Sequence, residues 1–284
     1  MKTSLFTLML SDRPLEQAIP LVAQIGYRGI ELMGREPHLP PQTPLKRARE
    51  LQALIDAAGL KTSCLATYTG GYAGIPDDKC REQLDDLRRF LELAEVFHCP
   101  VVRHGAGGPS PREATPERWE RAAEWLRCAA DLAAEADVKL AMELHFGGLT
   151  ESAEDGARLC EMVGRPNLGI ILDPGNMFIA GADFGAEAVR IAGDRIFHVH
   201  VKDEARIEDA SDPSHFDVEG KLFAHRLLGE GEVDHLPAFR ALAEMGYEGY
   251  LSAECHGAHG DREQVARHEL AEMNRLIAKA QAAG

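Results

Sequence analysis

The sequence contains no apolar run long enough to span a membrane and no C-x-x-C pair. A transmembrane helix needs about 20 consecutive apolar residues, so no membrane partner is expected. Without C-x-x-C there is no sign of a zinc cluster or a redox motif. The cysteines are scattered at Cys64, Cys80, Cys99, Cys128, Cys160 and Cys255. Scattered cysteines suit a reducing compartment, and we therefore expect a cytoplasmic protein.

Positive charge is also scarce. The chain has 31 Lys and Arg residues against 46 Asp and Glu residues, a formal net charge of −15. Surfaces that bind nucleic acid or anionic membranes need clustered Lys and Arg. We therefore expect no nucleic-acid partner, whereas a small substrate held by a few local cations remains compatible with the composition.

Short apolar runs alternate along the chain with amphipathic stretches that have apolar residues at helical spacing. The runs are TSLFTLML, GYRGIELM, KTSCLATY, PVVRHGA, VKLAMELH, LGIILDP, RIFHVHVKD and GYLSAECH. Regular β–α alternation predicts a parallel sheet with right-handed crossovers, and eight units predict a (β/α)8 TIM barrel. We expect one domain over residues 1–284. A doubly wound sheet is the alternative, but no glycine-rich phosphate loop follows the first run.

Polar side chains are concentrated where the last four runs end. These residues are Glu143 and His145, Asp173, then His198, His200 and Lys202, and finally Glu254 and His256. A TIM barrel has its active site at the carboxyl ends of its strands. Four neighbouring strands therefore deliver carboxylates and imidazoles to one small volume.

Several carboxylates brought together without partners would repel one another and shift their pKa values. A bound divalent cation would remove this repulsion. The cluster therefore predicts a metal site made by Glu143, Asp173, His200 and Glu254. Three carboxylates and one imidazole suit an octahedral cation better than structural zinc. We expect Mn²⁺, with Mg²⁺, Co²⁺ and Zn²⁺ as alternatives.

The motifs MELH, ILDPGN, HVHVKD, GEGEVD and GYEGYLSAE resemble those of the xylose isomerase-like barrel superfamily, and the likeness covers essentially the whole chain. The ketose 3-epimerase and inosose dehydratase branches are the most similar. The resemblance implies the same four metal ligands. It also implies that Glu143 and Glu254 are the catalytic acid/base pair and that Arg206 contacts the substrate.

Two departures bear on the reaction. Ketose 3-epimerases have a histidine where this chain has Asn176, and a Gly-Glu pair where it has Lys202-Asp203. The HVKD form is more similar to the inosose dehydratase branch and to uncharacterised isomerase branches. We expect a sugar isomerase or epimerase that moves a proton through a metal-stabilised enediolate of a small keto-sugar or polyol derivative. The alternatives are an inosose dehydratase-like lyase and a non-catalytic, metal-dependent sugar-binding protein.

An endonuclease IV-like nuclease is disfavoured, because the third strand run ends LATYTGG without a histidine and the acidic charge opposes DNA binding. The partner that we expect is a small sugar. The sequence is also compatible with a homo-oligomer.

Seven side chains are predicted to contact the substrate: Glu31, His104, His145, Asn176, Lys202, Arg206 and His256. All except Asn176 have an alternative role. Glu31 and His104 could instead form a salt bridge behind the site or cap a turn. His145 and His256 could orient the ligand carboxylates.

Lys202 and Arg206 could pair with Asp203 and Glu204. His198 is expected inside the barrel. Residues 204–233 are expected to form one long loop that closes over the site.

Overall fold

The computed structural model describes residues 1–257 and 260–282. The barrel strands are β1 (Lys2–Phe6), β2 (Gly29–Gly34), β3 (Lys61–Gly70), β4 (Val101–Gly105), β5 (Lys139–Glu143), β6 (Leu168–Leu172), β7 (Ile196–Val201) and β11 (Tyr250–Ala253). They are parallel and close in the order β1-β11-β7-β6-β5-β4-β3-β2. The predicted (β/α)8 barrel is confirmed, whereas its extension over residues 1–284 stays a prediction.

The described helices surround this barrel. They are α1 (Leu15–Ile25), α2 (Leu45–Ala57), α3 (Asp77–Val96), α4 (Pro116–Glu135), α5 (Ala153–Val163), α6 (Pro174–Ala180), α7 (Ala186–Ala192), α8 (Leu236–Glu244) and α9 (Arg262–Gln281). Helix α4 shows why they form, since Trp119, Ala122 and Leu126 recur at helical spacing and are buried. None of the described helices combines the length and apolar character that crossing a membrane requires.

Helix ends follow from local chemistry. At the start of α5, Ser152 and Asp155 form a reciprocal capping box. A Gly-Tyr-x-Gly sequence begins at Gly26, after α1, and again at Gly246, after α8, and these two glycines are left-handed, with φ of 112° and 75°. Since few other residues adopt these angles at low cost, the Gly-Tyr-x-Gly repeats are helix-to-strand connections.

The expectation of one long loop over residues 204–233 is wrong. An antiparallel sheet lies there, made of β8 (Asp203–Arg206), β9 (His215–Val218) and β10 (Lys221–Arg226), and we call residues 203–226 the flap. Strand β9, with the sequence HFDV, alternates polar and apolar residues. The turn between them, Glu219-Gly220, has positive φ at both positions, which is the geometry of a tight hairpin.

The GEGEVD motif folds around one buried carboxylate. Asp203 accepts backbone hydrogen bonds from Gly229 at 2.8 Å, Gly231 at 3.0 Å and Val233 at 3.0 Å. A Cβ on Gly231 would lie 2.2 Å from Asp203 Oδ1, so only glycine allows this approach. Asp203 therefore fixes the return from the flap to α8, directly beside strand β7.

A second buried carboxylate, Glu269 of α9, supports the same segment. Its Oε1 accepts a hydrogen bond from the backbone N–H of Leu228 at 2.9 Å, whereas Oε2 has no hydrogen-bond partner among the described residues. Burial raises the pKa of Glu269 to about 8, and the N–H of Leu228 offsets only part of that effect. The folded protein thus holds Glu269 protonated at neutral pH.

This raised pKa predicts a pH-dependent stability. The folded state binds a proton at Glu269 between about pH 5 and pH 8 that the unfolded state has released, so stability must fall as pH rises through this window. Denaturant unfolding should show a loss of up to about 5 kcal/mol that disappears in Glu269→Gln. Glu244→Gln, at an exposed position at the end of α8, is the matched control and should keep the wild-type slope. An unchanged slope in Glu269→Gln would contradict this assignment.

Candidate metal centre

Four adjacent strands bring the predicted ligand residues together. Glu143 ends β5, Asp173 follows β6, His200 lies near the end of β7 and Glu254 follows β11. Each offers a ligand atom, and these atoms all lie within 4.8 Å of one another. The parallel strands explain this arrangement, because their carboxyl ends meet at one mouth of the barrel. Metal binding by the four residues stays a prediction.

His200 lies at the centre of the set. Its Nδ1 is 3.1 Å from Glu143 Oε1, 3.2 Å from Glu254 Oε2 and 3.7 Å from Asp173 Oδ2. Burial lowers the pKa of His200, but the surrounding carboxylates, led by Glu31, raise it above its ordinary value overall. The imidazole ring stacks on Phe6, with ring centres 5.7 Å apart. The ring therefore has one nitrogen directed at the carboxylates and a fixed plane.

Two cations touch the ligand carboxylates. Lys202 Nζ lies 2.8 Å from Asp173 Oδ2 and 2.9 Å from Glu254 Oε2. Arg103 donates from Nη1 to Glu143 Oε2 at 2.8 Å. The expected pairing of Lys202 with Asp203 or Glu204 is not observed, because its side chain points into the barrel mouth. Arg103 was not predicted, although an arginine inside the apolar run PVVRHGA was a usable signal.

These contacts determine the charge state of the carboxylates. Burial raises the pKa of Glu143, but the Arg103 guanidinium and His200 together hold it well below the usual range. Burial likewise opposes ionisation of Glu254, and Lys202 followed by His200 lowers its pKa well below the ordinary value. Both predicted catalytic glutamates are therefore ionised and able to accept a proton.

The donor set fits a divalent cation by its charge. Glu143, Asp173 and Glu254, with Glu31 behind His200, supply four negative charges, whereas Lys202 and Arg103 supply two positive charges. A histidine that ligates a metal must be neutral, and with neutral histidines two negative charges remain in a volume shielded from water. Buried charges need compensation, and one divalent cation supplies it.

Asn176 holds the ligands in place. Its Nδ2 donates to Asp173 Oδ2 at 2.8 Å and to Glu143 Oε1 at 3.1 Å, and its backbone N–H donates to Asp173 Oδ1. Asn176 is 1% exposed, and its side chain contacts the carboxylates of the predicted metal ligands and not solvent. Its Oδ1 has no hydrogen-bond partner in the described part of the chain.

His145 and His256 lie at the mouth, as expected. His256 Nε2 is 3.4 Å from Glu254 Oε1, and about a third of its side chain is exposed. His145 is exposed and donates from Nδ1 to the backbone oxygen of Phe146 at 2.7 Å. It borders a cleft of about 300 Å³ that also contacts Arg103 and Glu143. This cleft gives a small molecule access to the ligand set.

A row of rings connects the two sides of the mouth. Phe216 of the flap stacks near Phe146, with ring centres 6.3 Å apart, and against His225 at 4.6 Å. His225 in turn stacks on His256 at 5.2 Å. The flap thus lies over the barrel from the β5 side to the β11 side, which is the position expected of a cover.

Three predicted substrate contacts lie elsewhere. Arg206 pairs with Glu232 at 3.0 Å, packs over the Phe178 ring and is largely exposed, so contact with the substrate stays a prediction. His104 is fully buried between Thr69 Oγ1 and the Tyr72 hydroxyl, both at 2.8 Å.

Burial lowers the pKa of His104 to about 3, so the ring is neutral and structural. Glu31 is fully buried and bonds to His198 and His200. For His104 and Glu31 the geometry therefore fits the alternative role, behind the site.

A family model described as xylose isomerase-like TIM barrel matches residues 19–276. The chain belongs to this family. It is 32% identical to the rhizopine catabolism protein MocC of Rhizobium meliloti, over 86% of this chain and 75% of that protein. It is 25% identical to an inosose dehydratase of Clostridium perfringens, over 86% of this chain and 82% of that protein. A solved structure of the IOLI protein with a zinc atom has a TM-score of 0.81 at 17% identity, covering 99% of both chains, which shows the shared fold.

The geometry predicts metal binding that depends on the four residues. Protein purified without chelators should contain about one divalent cation per chain by elemental analysis. The double variant Asp173→Ala/His200→Ala should contain none, because it loses two of four donors. Asp217→Ala/His215→Ala, which removes the same residue types from the flap, should keep the cation. Wild-type metal content in the first double variant would rule out this site.

Proposed function

We propose that the protein is a divalent-metal-dependent lyase that dehydrates a small keto-polyol or keto-sugar. The observation that carries this proposal is the buried Lys202 ammonium, held 2.8 Å from Asp173 and 2.9 Å from Glu254. A dehydration needs a base for the C–H proton and an acid for the departing hydroxyl. Glu254 and Lys202 provide such a pair in direct contact.

The proton transfers of the dehydration balance between Glu254 and Lys202. A bound divalent cation supplies positive charge that stabilises an enediolate-type negative charge on the substrate. Glu254 removes the proton next to the substrate carbonyl, and Lys202 gives a proton to the hydroxyl on the neighbouring carbon, which leaves as water. Because their side chains touch, the proton can then return from Glu254 to Lys202, which restores both groups.

The other side chains assist without reacting. Arg103 and Asn176 hold Glu143 at 2.8 and 3.1 Å, which keeps that carboxylate in place among the ligands. His256, at the solvent edge beside Glu254, is placed to exchange protons with water. The flap excludes bulk water while the charged intermediate exists.

The resemblance to known enzymes supports the same class. Curated relatives include inosose dehydratases, which we take as a guide to a cyclic keto-polyol substrate for this chain. Each of the two departures from ketose 3-epimerases includes a residue, Asn176 in one and Lys202 in the other, that contacts the ligand carboxylates. A lysine in place of glycine adds a proton donor where the epimerase pattern has none.

An isomerase or epimerase is the second candidate. Glu143 and Glu254 follow the outer two of the four ligand strands, β5 and β11. Carboxylates on opposite sides of a bound sugar could remove a proton from one face and return it to the other, which inverts the carbon. The sequence-based preference for this reaction remains untested, and the same substrate panel decides between the two.

The panel uses keto-inositols and ketoses in deuterated water with saturating Mn²⁺. We expect loss of water from at least one substrate, seen by mass spectrometry and NMR. Deuterium gained at a single carbon without loss of water would instead support epimerisation or isomerisation. Stabilisation of the protein by a sugar, without exchange or turnover across the panel, would identify a binding protein and contradict both catalytic proposals.

Lys202→Met should separate the two proton transfers. Methionine preserves the length of the side chain but cannot protonate a hydroxyl, so dehydration should fall by roughly 10²–10⁴-fold. Exchange of the substrate C–H proton with solvent should continue, because Glu254 is retained. Glu254→Gln should abolish both processes at saturating metal, and Lys221→Met in the flap is the control. Dehydration at the wild-type rate by Lys202→Met would disprove the assigned acid.

A further inference from the structure

Three side chains form a hydrogen-bonded triad inside the barrel, below the four predicted metal ligands. His198 Nε2 is 2.9 Å from Glu31 Oε2, and His200 Nε2 is 3.0 Å from Glu31 Oε1. Glu31 and His200 are fully buried and His198 is 1% exposed. Strand β2 supplies the carboxylate and β7 supplies both imidazoles, so these hydrogen bonds connect two strands that β1 and β11 separate in the barrel wall.

Packing alone does not explain these residues. TIM barrel interiors are filled mostly by branched apolar side chains. Burying a carboxylate is costly, and replacing buried ionic groups by apolar ones of similar size is often neutral or stabilising. Both oxygens of Glu31 are occupied by imidazole nitrogens, so the side chain is fully committed to the two histidines.

We propose that Glu31, held by His198, is a positioning residue that fixes the proton of His200 on Nε2. An ionised carboxylate only accepts hydrogen bonds, so the Nε2 facing it must carry the hydrogen. A histidine that binds a metal is neutral, so His200 then has its lone pair on Nδ1, the nitrogen that faces Glu143, Asp173 and Glu254. This inference rests on the proposed metal site.

His198 has a distinct part in this arrangement. By donating to Oε2 it fixes the rotation of the Glu31 carboxylate, which keeps Oε1 directed at His200. Phe6 restricts the His200 ring from its face at an interplanar angle of 15°. A carboxylate behind a histidine ligand also increases the basicity of the metal-facing nitrogen.

Two variants of similar volume separate hydrogen bonding from space filling. Glu31→Leu removes the acceptor, whereas Glu31→Gln retains an oxygen that can accept from His200. Zinc affinity, measured by competition with a chelator, should weaken on the order of 10–100-fold in Glu31→Leu. Glu31→Gln should recover most of that loss. Glu269→Leu removes another fully buried carboxylate, whose hydrogen bond is to the N–H of Leu228 and not to a proposed ligand, and should bind zinc with the wild-type affinity.

The tautomer can be read in the wild-type protein, which keeps the proposal testable if Glu31→Leu fails to fold. In ¹⁵N-labelled, zinc-loaded protein, His200 should show a protonated Nε2 and a metal-bound Nδ1. Its N–H proton should exchange slowly with water because the three hydrogen-bonded side chains are buried. A non-protonated Nε2, or Glu31→Leu with the affinity of Glu269→Leu, would overturn the positioning role.

Two further outcomes are distinguishable. Zinc bound by Glu31, His198 and His200 themselves, seen as a second cation per chain, would overturn the inference, because these atoms also lie close enough to hold an ion. A wild-type protein that binds no metal would instead refute the proposed metal site on which the inference depends.

Discussion

Uncompensated negative charge at one end of a closed barrel is the constraint on which this structure depends. Three carboxylates surround a buried imidazole within 4.8 Å, and a fourth lies directly behind that imidazole. Lys202 and Arg103 neutralise part of this charge through direct contacts, and a divalent cation would neutralise the rest. Nothing in an apolar barrel core requires such an arrangement, so its explanation has to be chemical.

The surrounding elements can be understood from this constraint. Asn176 at the start of α6 restrains two ligand carboxylates, and Asp203 anchors the segment that follows the flap. The flap then brings Phe216 and His225 into contact with rings on both sides of the mouth. The flap therefore lies over a charged centre that has to exclude water. Asp203, which holds the segment after the flap, is the residue next to Lys202.

Much of the fold and of the ligand set was accessible from the sequence. Strand periodicity and helix spacing give the eight units, and parallel strands bring their ends together, so Glu143, Asp173, His200 and Glu254 could be placed in one volume. Contacts across the barrel could not be predicted in this way. The pairing of Glu31 with His198 and His200 depends on how β2 and β7 are staggered, which local patterns do not encode.

The predictions were wrong or incomplete where a shift of one residue along a strand decides which side chain points into the barrel mouth. In PVVRHGA the histidine was the conspicuous candidate, but β4 directs Arg103 into the mouth and His104 towards Thr69 and Tyr72. Lys202 was correctly placed at a strand end, although predicting its partners requires knowing that β6 and β11 flank β7. The flap was missed because β9 and β10 are short and follow an acidic stretch that is typical of a loop.

The most direct test of the central claim is a crystal structure of the protein grown with Mn²⁺, with diffraction recorded near the manganese absorption edge. The account predicts one anomalous peak per chain, within bonding distance of Glu143, Asp173, His200 Nδ1 and Glu254. Lys202 and Arg103 should remain beside the same carboxylates. An absent peak, or a peak away from these four residues, would contradict the claim that the barrel end is built to hold a divalent cation.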